Sequence, residues 1–200
     1  MESLTLAEKT AQFEEFFMIQ HAVNINVTPL ADHTQVPSPE HLDKVMPPAF
    51  KMASELATIE AQALRPLRHL SDHASELAEY LTHQARKIDL MMSYILQQQD
   101  EESQRFETHK FGGGGVIVVH PSSVDVGTIA ELKLFLSEEA AAIFCYGEVI
   151  ACEAVDDNYH VSLAFTSIRE QDQELLVRAS LHLQTQQLRK RAQKKSQSAD

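Results

Sequence analysis

The pattern of apolar and polar residues predicts short strands on both sides of a long helical region. Residues 21–30 place Val23, Ile25 and Val27 on one side and two asparagines on the other, which is typical of a strand with one buried face. Four more strand-like segments cover residues 116–120, 129–136, 142–154 and 159–166. Helices are predicted at residues 5–18 and 168–192. The predicted order is therefore helix, strand, long helices, four strands and helix.

The helical region follows a proline-containing loop at residues 31–48. Pro48 suits the first turn of a helix. One face of this helix is apolar and consists of Met52, Leu56, Ile59 and Ala63. Pro66 would remove a backbone hydrogen bond from a helix interior. We therefore predict a kink or a break near Arg65 and a second helix over residues 66–102.

The second helix carries one stripe of residues at alternating spacings of three and four. We call this set the heptad stripe: Leu67, Leu70, Ala74, Leu77, Leu81, Gln84, Ile88, Met91 and Ile95. A period of 3.5 residues is typical of a helix that packs along one seam against other helices. Gln84 is its only polar member, and a single buried amide can fix the register or the number of helices in a bundle.

The partner that covers the heptad stripe is predicted to be another copy of the chain. Ala78, Ala85 and Met92 widen the apolar face, which suits three or four helices around one axis better than two. The alternative is that the stripe packs on the chain's own helix at residues 48–65. That helix covers only about half of the length. We expect self-association, with both helices contributing.

Composition narrows the classes of partner. The chain of 200 residues has 29 acidic and 17 basic residues and a formal charge of −12, which disfavours nucleic acid as a partner. No apolar run reaches the length of a membrane span. The sequence does not show the basic and then apolar pattern of a secretion signal. We expect a cytoplasmic protein.

Candidate reactive residues do not form a recognisable site. Cys145 and Cys152 are seven apart, so a regular strand would point them to opposite faces, and we predict no disulfide. His69 and His73 have a spacing that suits a metal on a helix, but two ligands do not close a site. An interchain metal site built by symmetry stays open as an alternative. We assign no catalytic, cofactor-binding or metal-binding residue, no cofactor and no enzymatic activity.

Two further segments have simple structural interpretations. The run at residues 112–115 consists of glycine, and no Gly-Lys-Ser/Thr follows it, so we interpret it as a permissive entry to a strand. The C-terminal segment is basic. Its cations complement a helix dipole, and an acidic partner or a membrane surface is the alternative. These cations are Arg189, Lys190, Arg191, Lys194 and Lys195.

The β segments on either side of the helices resemble the PilZ domain family. The resemblance rests on a first strand at residues 22–27, a glycine pair leading into residues 116–118, and the glycine-led strand 147–150. It also includes the last strand at residues 161–165 and the acidic, leucine-bearing start of the C-terminal helix. The family is a small β-barrel with a C-terminal helix, and it often serves as a bacterial receptor for cyclic di-GMP.

The chain departs from the family at both ligand motifs. Typical members carry an Arg-x-x-x-Arg pair before the first strand, whereas residues 16–21 contain no arginine. The family's Asp-x-Ser-x-x-Gly motif aligns with residues 110–115, where Lys110 and Gly112 replace the Asp and the Ser. The resemblance is closest to unusual members that have a long heptad-bearing insert, assemble as tetramers and lack these motifs.

These observations predict an α+β fold, a PilZ-like antiparallel β-barrel with a C-terminal helix and a long coiled-coil insertion after the first strand. Residues 1–30 and 108–200 would form the barrel with its terminal helices, and residues 31–107 an oligomerisation insert. The resemblance implies a homotetrameric, noncatalytic adaptor in cyclic di-GMP-linked regulation, with signalling, pilus or motility proteins as partners. The alternative is a cyclic di-GMP sensor with a displaced site that uses other cations, such as Arg65, Arg68 or the C-terminal cluster.

Overall fold

The computed structural model describes residues 5–31, 34–67 and 75–197. Seven strands and five helices make up the regular structure of these residues. The strands are β1 (Met18–Gln20), β2 (Asn24–Pro29), β3 (Arg105–Gly112), β4 (Gly115–His120), β5 (Ile129–Leu136), β6 (Ala141–Val155) and β7 (Asn158–Ser167). The helices are α1 (Leu6–Glu15), α2 (Leu42–Val45), α3 (Pro48–Leu67), α4 (Ser75–Gln97) and α5 (Glu170–Gln197).

Six of the strands close into an antiparallel barrel. Their order is β3-β2-β5-β6-β7-β4, and pairing of β3 with β4 closes the ring. The short strand β1 pairs with the C-terminal half of β3, on the same side of β3 as β2. Closure leaves no free sheet edge around the ring, which removes a common route to aggregation. The predicted barrel with a C-terminal helix and a helical insertion after the first long strand is confirmed.

The interior of the barrel is filled by alternating residues from the strands. In β5, Ala130, Leu132 and Leu134 point inward and are almost fully buried. Helix α5 packs Leu176 and other apolar side chains against this core. Strands with one face turned to the core show this period of two.

A second apolar cluster joins the helical insert to the outside of the barrel. Phe50 of α3 is fully buried and lies 5.9 Å from Phe135 and 6.2 Å from Phe144, measured between ring centroids. Met92 and Leu96 of α4 belong to the same cluster. We call this cluster the insert base. The first turns of α3 and the last turns of α4 therefore pack on the barrel and on each other.

A buried ion pair fixes the start of α5 beside the insert. The Arg169 guanidinium donates to Asp172 Oδ2 at 2.8 Å and Oδ1 at 3.0 Å, and its third nitrogen donates to Asp43 Oδ1 at 2.8 Å. Burial raises the pKa of the Asp172 carboxyl, and its bonds to Arg169 oppose that shift. A bidentate guanidinium–carboxylate pair is strong and directional. The third bond, to Asp43, links α2 to the start of α5.

The boundaries of the helical region agree with the prediction at some positions and differ at others. Helix α3 is described to Leu67, two residues beyond the kink or break predicted near Arg65, and Pro66 lies in its last turn, where it removes a backbone hydrogen bond only near the terminus. The second helix is described from Ser75 and ends at Gln97, not at residue 102. Residues 68–74 lie outside the described residues. The division into barrel and insert remains a prediction, and β3 of the barrel begins at Arg105, inside the predicted insert range of 31–107.

Strand β3 was not predicted from the sequence, nor was β1. The register of β3 on β4 shifts between Thr108 and Lys110, so one extra residue interrupts the alternation. As a result, the inward-facing Phe106 and Phe111 are five residues apart, which conceals the strand pattern. A similar shift between Val149 and Ala151 of β6 changes the phase of that strand.

The shift in β6 explains an error about the cysteines. Cys145 is buried in the barrel core, and Cys152 packs against the same core, so the prediction that they point to opposite faces is wrong. The extra residue of the bulge interrupts the alternation of the strand, so two residues at an odd separation lie on the same side of the sheet. Both thiols are free.

Candidate functional site

The heptad stripe leaves a row of apolar side chains uncovered on α4. Its five described apolar members are between 37% and 60% exposed, namely Leu77, Leu81, Ile88, Met91 and Ile95. Gln84 lies on the same face, is partly exposed and makes no hydrogen bond within the described part of the chain. An apolar row of this length is unusual on a surface that faces only water.

The other three members of the stripe are not part of α4 as the structure describes it. Leu67 is the last residue of α3, and its side chain is not among those described. Leu70 and Ala74 lie outside the described residues. The predicted single helix that joins all nine residues is therefore described only from Ser75 onward.

A neighbouring arc of α4 faces the chain's own core. Met92 and Leu96 are 3% and 4% exposed in the insert base. Met92 was predicted to widen the seam toward other helices, and the structure assigns it to the chain's own core instead. Since 3.6 residues make one turn, Met91 and Met92 point in directions about 100° apart. This explains why adjacent methionines differ so strongly in exposure.

Helix α3 also has one apolar face inward and one outward. Phe50 and Ala53 are buried in the insert base, whereas Met52 and Ile59 are exposed by 49% and 60%. Leu56 is half-buried against the base. The predicted apolar face of this helix is thus largely the face that the chain leaves uncovered. Ala63, its fourth member, has a side chain outside the described set.

The two stretches that align with the family's ligand motifs lie side by side. β1 pairs with β3 so that Met18 is opposite Gly112 and Gln20 is opposite Lys110. The sequence could not show this adjacency, because the two stretches are about 90 residues apart. Residues 16–21 provide no arginine there, so a bidentate guanidinium clamp from this segment is absent.

Helix α1 and the residues after it occupy the surface over the glycine run. A Cβ on Gly113 would lie 2.6 Å from the Phe16 ring, and one on Gly115 would lie 2.6 Å from the Phe13 ring. At Gly114 it would lie 3.0 Å from the carbonyl oxygen of Phe13. The glycines allow close approach of α1, which is a role of glycine that the sequence did not reveal.

Helix α1 is held in place by its own cap and by the barrel. Thr5 and Glu8 form a capping box, and the hydrogen bonds from Thr5 lower the pKa of Glu8. Phe13 packs with Ile150 and Ala164 on the outside of the barrel, and Lys9 pairs with Glu148. The barrel surface at the ligand-motif positions is therefore covered by the chain's own N-terminal segment.

The remaining candidate chemistry does not converge on a site. Cys145 is fully buried, and burial raises the pKa of its thiol. Among the described residues, no group of three or more His, Cys, Asp or Glu side chains could hold a metal ion. His69 and His73 lie outside the described residues. None of the helices in the described ranges has the length and apolarity needed to cross a membrane.

Comparison with solved structures identifies a protein of similar fold. A pathogenic protein from Xanthomonas campestris, described as a new tetrameric PilZ domain self-assembled via an unusual helical bundle, aligns over 90% of this chain and 96% of its own. The identity is 16% and the TM-score is 0.56. The inhibitor of motility MotI/DgrA from Bacillus subtilis aligns over 41% of this chain and 42% of its own, at 22% identity and a TM-score of 0.39.

The comparison with curated proteins yields no match. The family model of the PilZ domain matches residues 82–182, which extend from the middle of α4 through the barrel into α5. This range covers just over half of the sequence and includes five of the six strands of the closed ring. The chain therefore belongs to the PilZ domain family.

Proposed function

We propose that this protein is a noncatalytic, homo-oligomeric adaptor in bacterial cyclic di-GMP-linked regulation. Helices α3 and α4 from several copies, most simply four, form a bundle that displays the barrels to signalling, pilus or motility proteins. Cyclic di-GMP does not bind in this protein through the family's usual motifs. The observation that carries the proposal is the uncovered heptad stripe on α4.

The chemistry of the stripe supports a second copy as its partner. Apolar residues at a 3.5-residue period fit the same pattern on an identical helix, since knobs and holes then repeat in step. Leu77, Leu81 and Ile88 are 54%, 37% and 41% exposed in the single chain. Met52 and Ile59 of α3 supply further exposed apolar area. The Xanthomonas protein of similar fold is described as a tetramer assembled through a helical bundle, which is consistent with this arrangement.

The surface at the ligand-motif positions supports the second part of the proposal. Phe13 and Phe16 lie over the glycines of residues 113–115, so α1 fills space that a ligand would need. Lys110 and Gly112 stand where the family motif has Asp and Ser. A regulator of this kind would transmit a signal by contact with other proteins.

The assembly is tested by replacing both Leu77 and Leu81 with Asp. Two carboxylates within a bundle would be unpaired charges in an apolar setting, so we expect the oligomer to dissociate to monomers at micromolar concentration. Multi-angle light scattering measures the mass. The control is H83D/L90D, which places two aspartates one heptad apart on the opposite, exposed face of α4.

The outcomes separate the possibilities. A monomeric wild-type protein, or an L77D/L81D variant with unchanged mass, contradicts the proposed assembly. Calorimetry with cyclic di-GMP tests the alternative function. Saturable micromolar binding indicates a sensor with a displaced site, and no heat of binding supports the adaptor.

A further inference from the structure

A cleft of about 690 Å³ lies between the end of α5 and strand β3. We call it the basic cleft. Its side chains include His21, His109, Gln187, Lys190 and Arg191, and Glu107 is the only carboxylate among the described residues that line it. The whole chain has a charge of −12, so a concentration of basic groups at one place stands out from the rest of the surface.

The wall formed by the connection between β1 and β2 is fixed by buried hydrogen bonds. Thr108 is 2% exposed, and its hydroxyl donates to the His21 carbonyl oxygen at 2.8 Å and accepts from the Val23 amide at 3.0 Å. Gln187 of α5 donates to the Gln20 carbonyl oxygen at 3.1 Å. These bonds hold α5, β3 and the connection in one arrangement.

A bulge in β3 sets the direction of the His109 side chain. The register of β3 on β4 shifts between Thr108 and Lys110, so His109 is the extra residue of a bulge. Bulges often redirect a side chain at functional sites. The His109 ring stacks on His160 with 4.3 Å between ring centroids, which fixes its orientation. Burial, His160 and Lys110 lower the pKa of His109. A neutral imidazole still offers one N–H donor.

The cationic side chains of the cleft have no partner among the residues that the structure describes. In the described ranges, the side chains of Lys190 and Arg191 form no ion pair and no hydrogen bond. The His21 side chain is likewise without a hydrogen bond in these ranges, although its carbonyl oxygen is bonded to Thr108. A guanidinium and an ammonium on adjacent residues leave several donors directed at solvent.

We propose that the basic cleft binds a small ligand through a phosphate group. Arginine can bind two phosphate oxygens at once, and lysine adds a compact charge. The imidazole N–H of His109 supplies a donor from the strand side. The volume is in the range of small-molecule sites. The cleft includes Gln20 and His21 from the segment 16–21, but neither the glycines under α1 nor the heptad stripe lines it, so it does not depend on the proposed assembly.

The proposal is tested by titration calorimetry on the full chain at about 0.15 M salt, where exposed charges more than about 8 Å apart are largely screened. The probes are pyrophosphate, guanosine monophosphate and cyclic di-GMP. The test variant is K190E/R191E. The control is R178E/R189E, which makes the same charge change at two exposed positions of α5 that do not line the cleft.

We expect at least one probe to bind saturably, and K190E/R191E to weaken that binding by about tenfold or more, a loss of about 1.4 kcal/mol. The control should stay within about twofold, because charges away from the cleft are screened by salt. H109N should also weaken binding. Pyrophosphate binding shows that the phosphate alone is recognised, whereas binding of cyclic di-GMP alone shows that the nucleotide is needed as well.

Three results would overturn the proposal. The first is that none of the probes saturates. The second is that R178E/R189E weakens binding as much as K190E/R191E does, which would assign the effect to the overall field of α5. The third is that polyglutamate displaces the bound probe more effectively than pyrophosphate, which would make the cleft a site for acidic peptides. None of these results bears on the mass of the protein, so the assembly is tested separately. Saturable binding of cyclic di-GMP would support the basic cleft and would at the same time favour the sensor over the adaptor, whereas binding of pyrophosphate or guanosine monophosphate alone leaves the adaptor proposal standing.

Discussion

The two apolar arcs of α4 have opposite environments although they run along the same helix. Met92 and Leu96 are nearly inaccessible in the insert base, while their neighbours Met91 and Ile95 are 60% and 37% exposed. The first pair stabilises a single chain by removing apolar surface from water. The second pair, with much more of its surface in water, gives a single chain less of this stabilisation. One helix thus carries a surface that folds the protein and a surface that remains available to a partner.

This comparison shows why hydrophobic periodicity identifies a buried face without identifying what buries it. In the sequence, the heptad stripe and Met92 form one wide apolar face. The structure divides that face, because Met92 joins the cluster with Phe135 and Phe144 in the last turns of α4 while the described apolar members of the stripe stay exposed.

The largest effect should come from the base of α3. Replacing Phe50 with Ala removes a fully buried ring that contacts Phe135 and Phe144, and it should lower the free energy of unfolding by about 4 kcal/mol. The matched change I59A, on the exposed face of the same helix, should change it by less than about 0.5 kcal/mol. Urea denaturation in the L77D/L81D background measures both, so that assembly does not contribute.

The contrast between F50A and I59A should change when Leu77 and Leu81 are left unchanged, so that the protein can assemble. There, I59A should reduce the mass seen by light scattering at low concentration, because Ile59 would lie within the bundle. If I59A costs the L77D/L81D chain as much stability as F50A does, the outer face of α3 is covered within the chain and the contrast between the two faces is wrong.

Much of the barrel could be predicted from residue patterns. Strand β5 has the predicted bounds of residues 129–136, and β4, β6 and β7 begin and end within one residue of their predicted positions. These strands alternate regularly or are continuously apolar over most of their length. The helices at both ends and the insertion between β2 and the later strands were also predicted, because their period of about 3.6 residues differs clearly from a period of two.

The missed features depend on contacts that no local pattern encodes. β3 was missed because its bulge at His109 breaks the alternation, and β1 has only three residues. The cover of α1 over the glycine run joins residues about 100 apart in sequence. The basic cleft likewise brings together His21, His109 and Arg191 from three separate segments. The sequence shows the C-terminal cations, but it does not show which residues lie beside them in the fold.

A smaller effect should come from the ion pair that joins the insert to α5. The Asp172 side chain is 4% exposed and that of Asp43 is 65% exposed, although both accept from Arg169. D172N leaves a guanidinium with most of its charge uncompensated in a buried setting, so it should cost about 3 kcal/mol. D43N removes an exposed partner and should cost less than about 1 kcal/mol. Thermal or urea unfolding compares the two variants.

This pair sharpens the distinction between buried and exposed contacts around the insert. If D43N destabilises the chain as much as D172N does, the exposed half of the network holds the insert in place, and burial is not what determines the strength of the junction. High salt provides a second measurement, since it should weaken the Asp43 contact more than the Asp172 contact.

The smallest predicted effect is a dependence on alkaline pH at the insert base. Tyr146 lies in the cluster that includes Phe144, and burial, together with the charge of Glu131, raises its pKa from about 10 to about 12. The unfolded chain then loses this proton at lower pH than the folded chain does. The resulting stabilisation is fully present below pH 10 and is lost as the pH rises toward 12. The free energy of unfolding should therefore fall less steeply with pH in Y146F than in the wild type over this range, as measured by urea denaturation. Parallel curves for the two proteins would mean that the phenol of Tyr146 is as accessible to water as the exposed side of α4, and that the insert base is open at this edge.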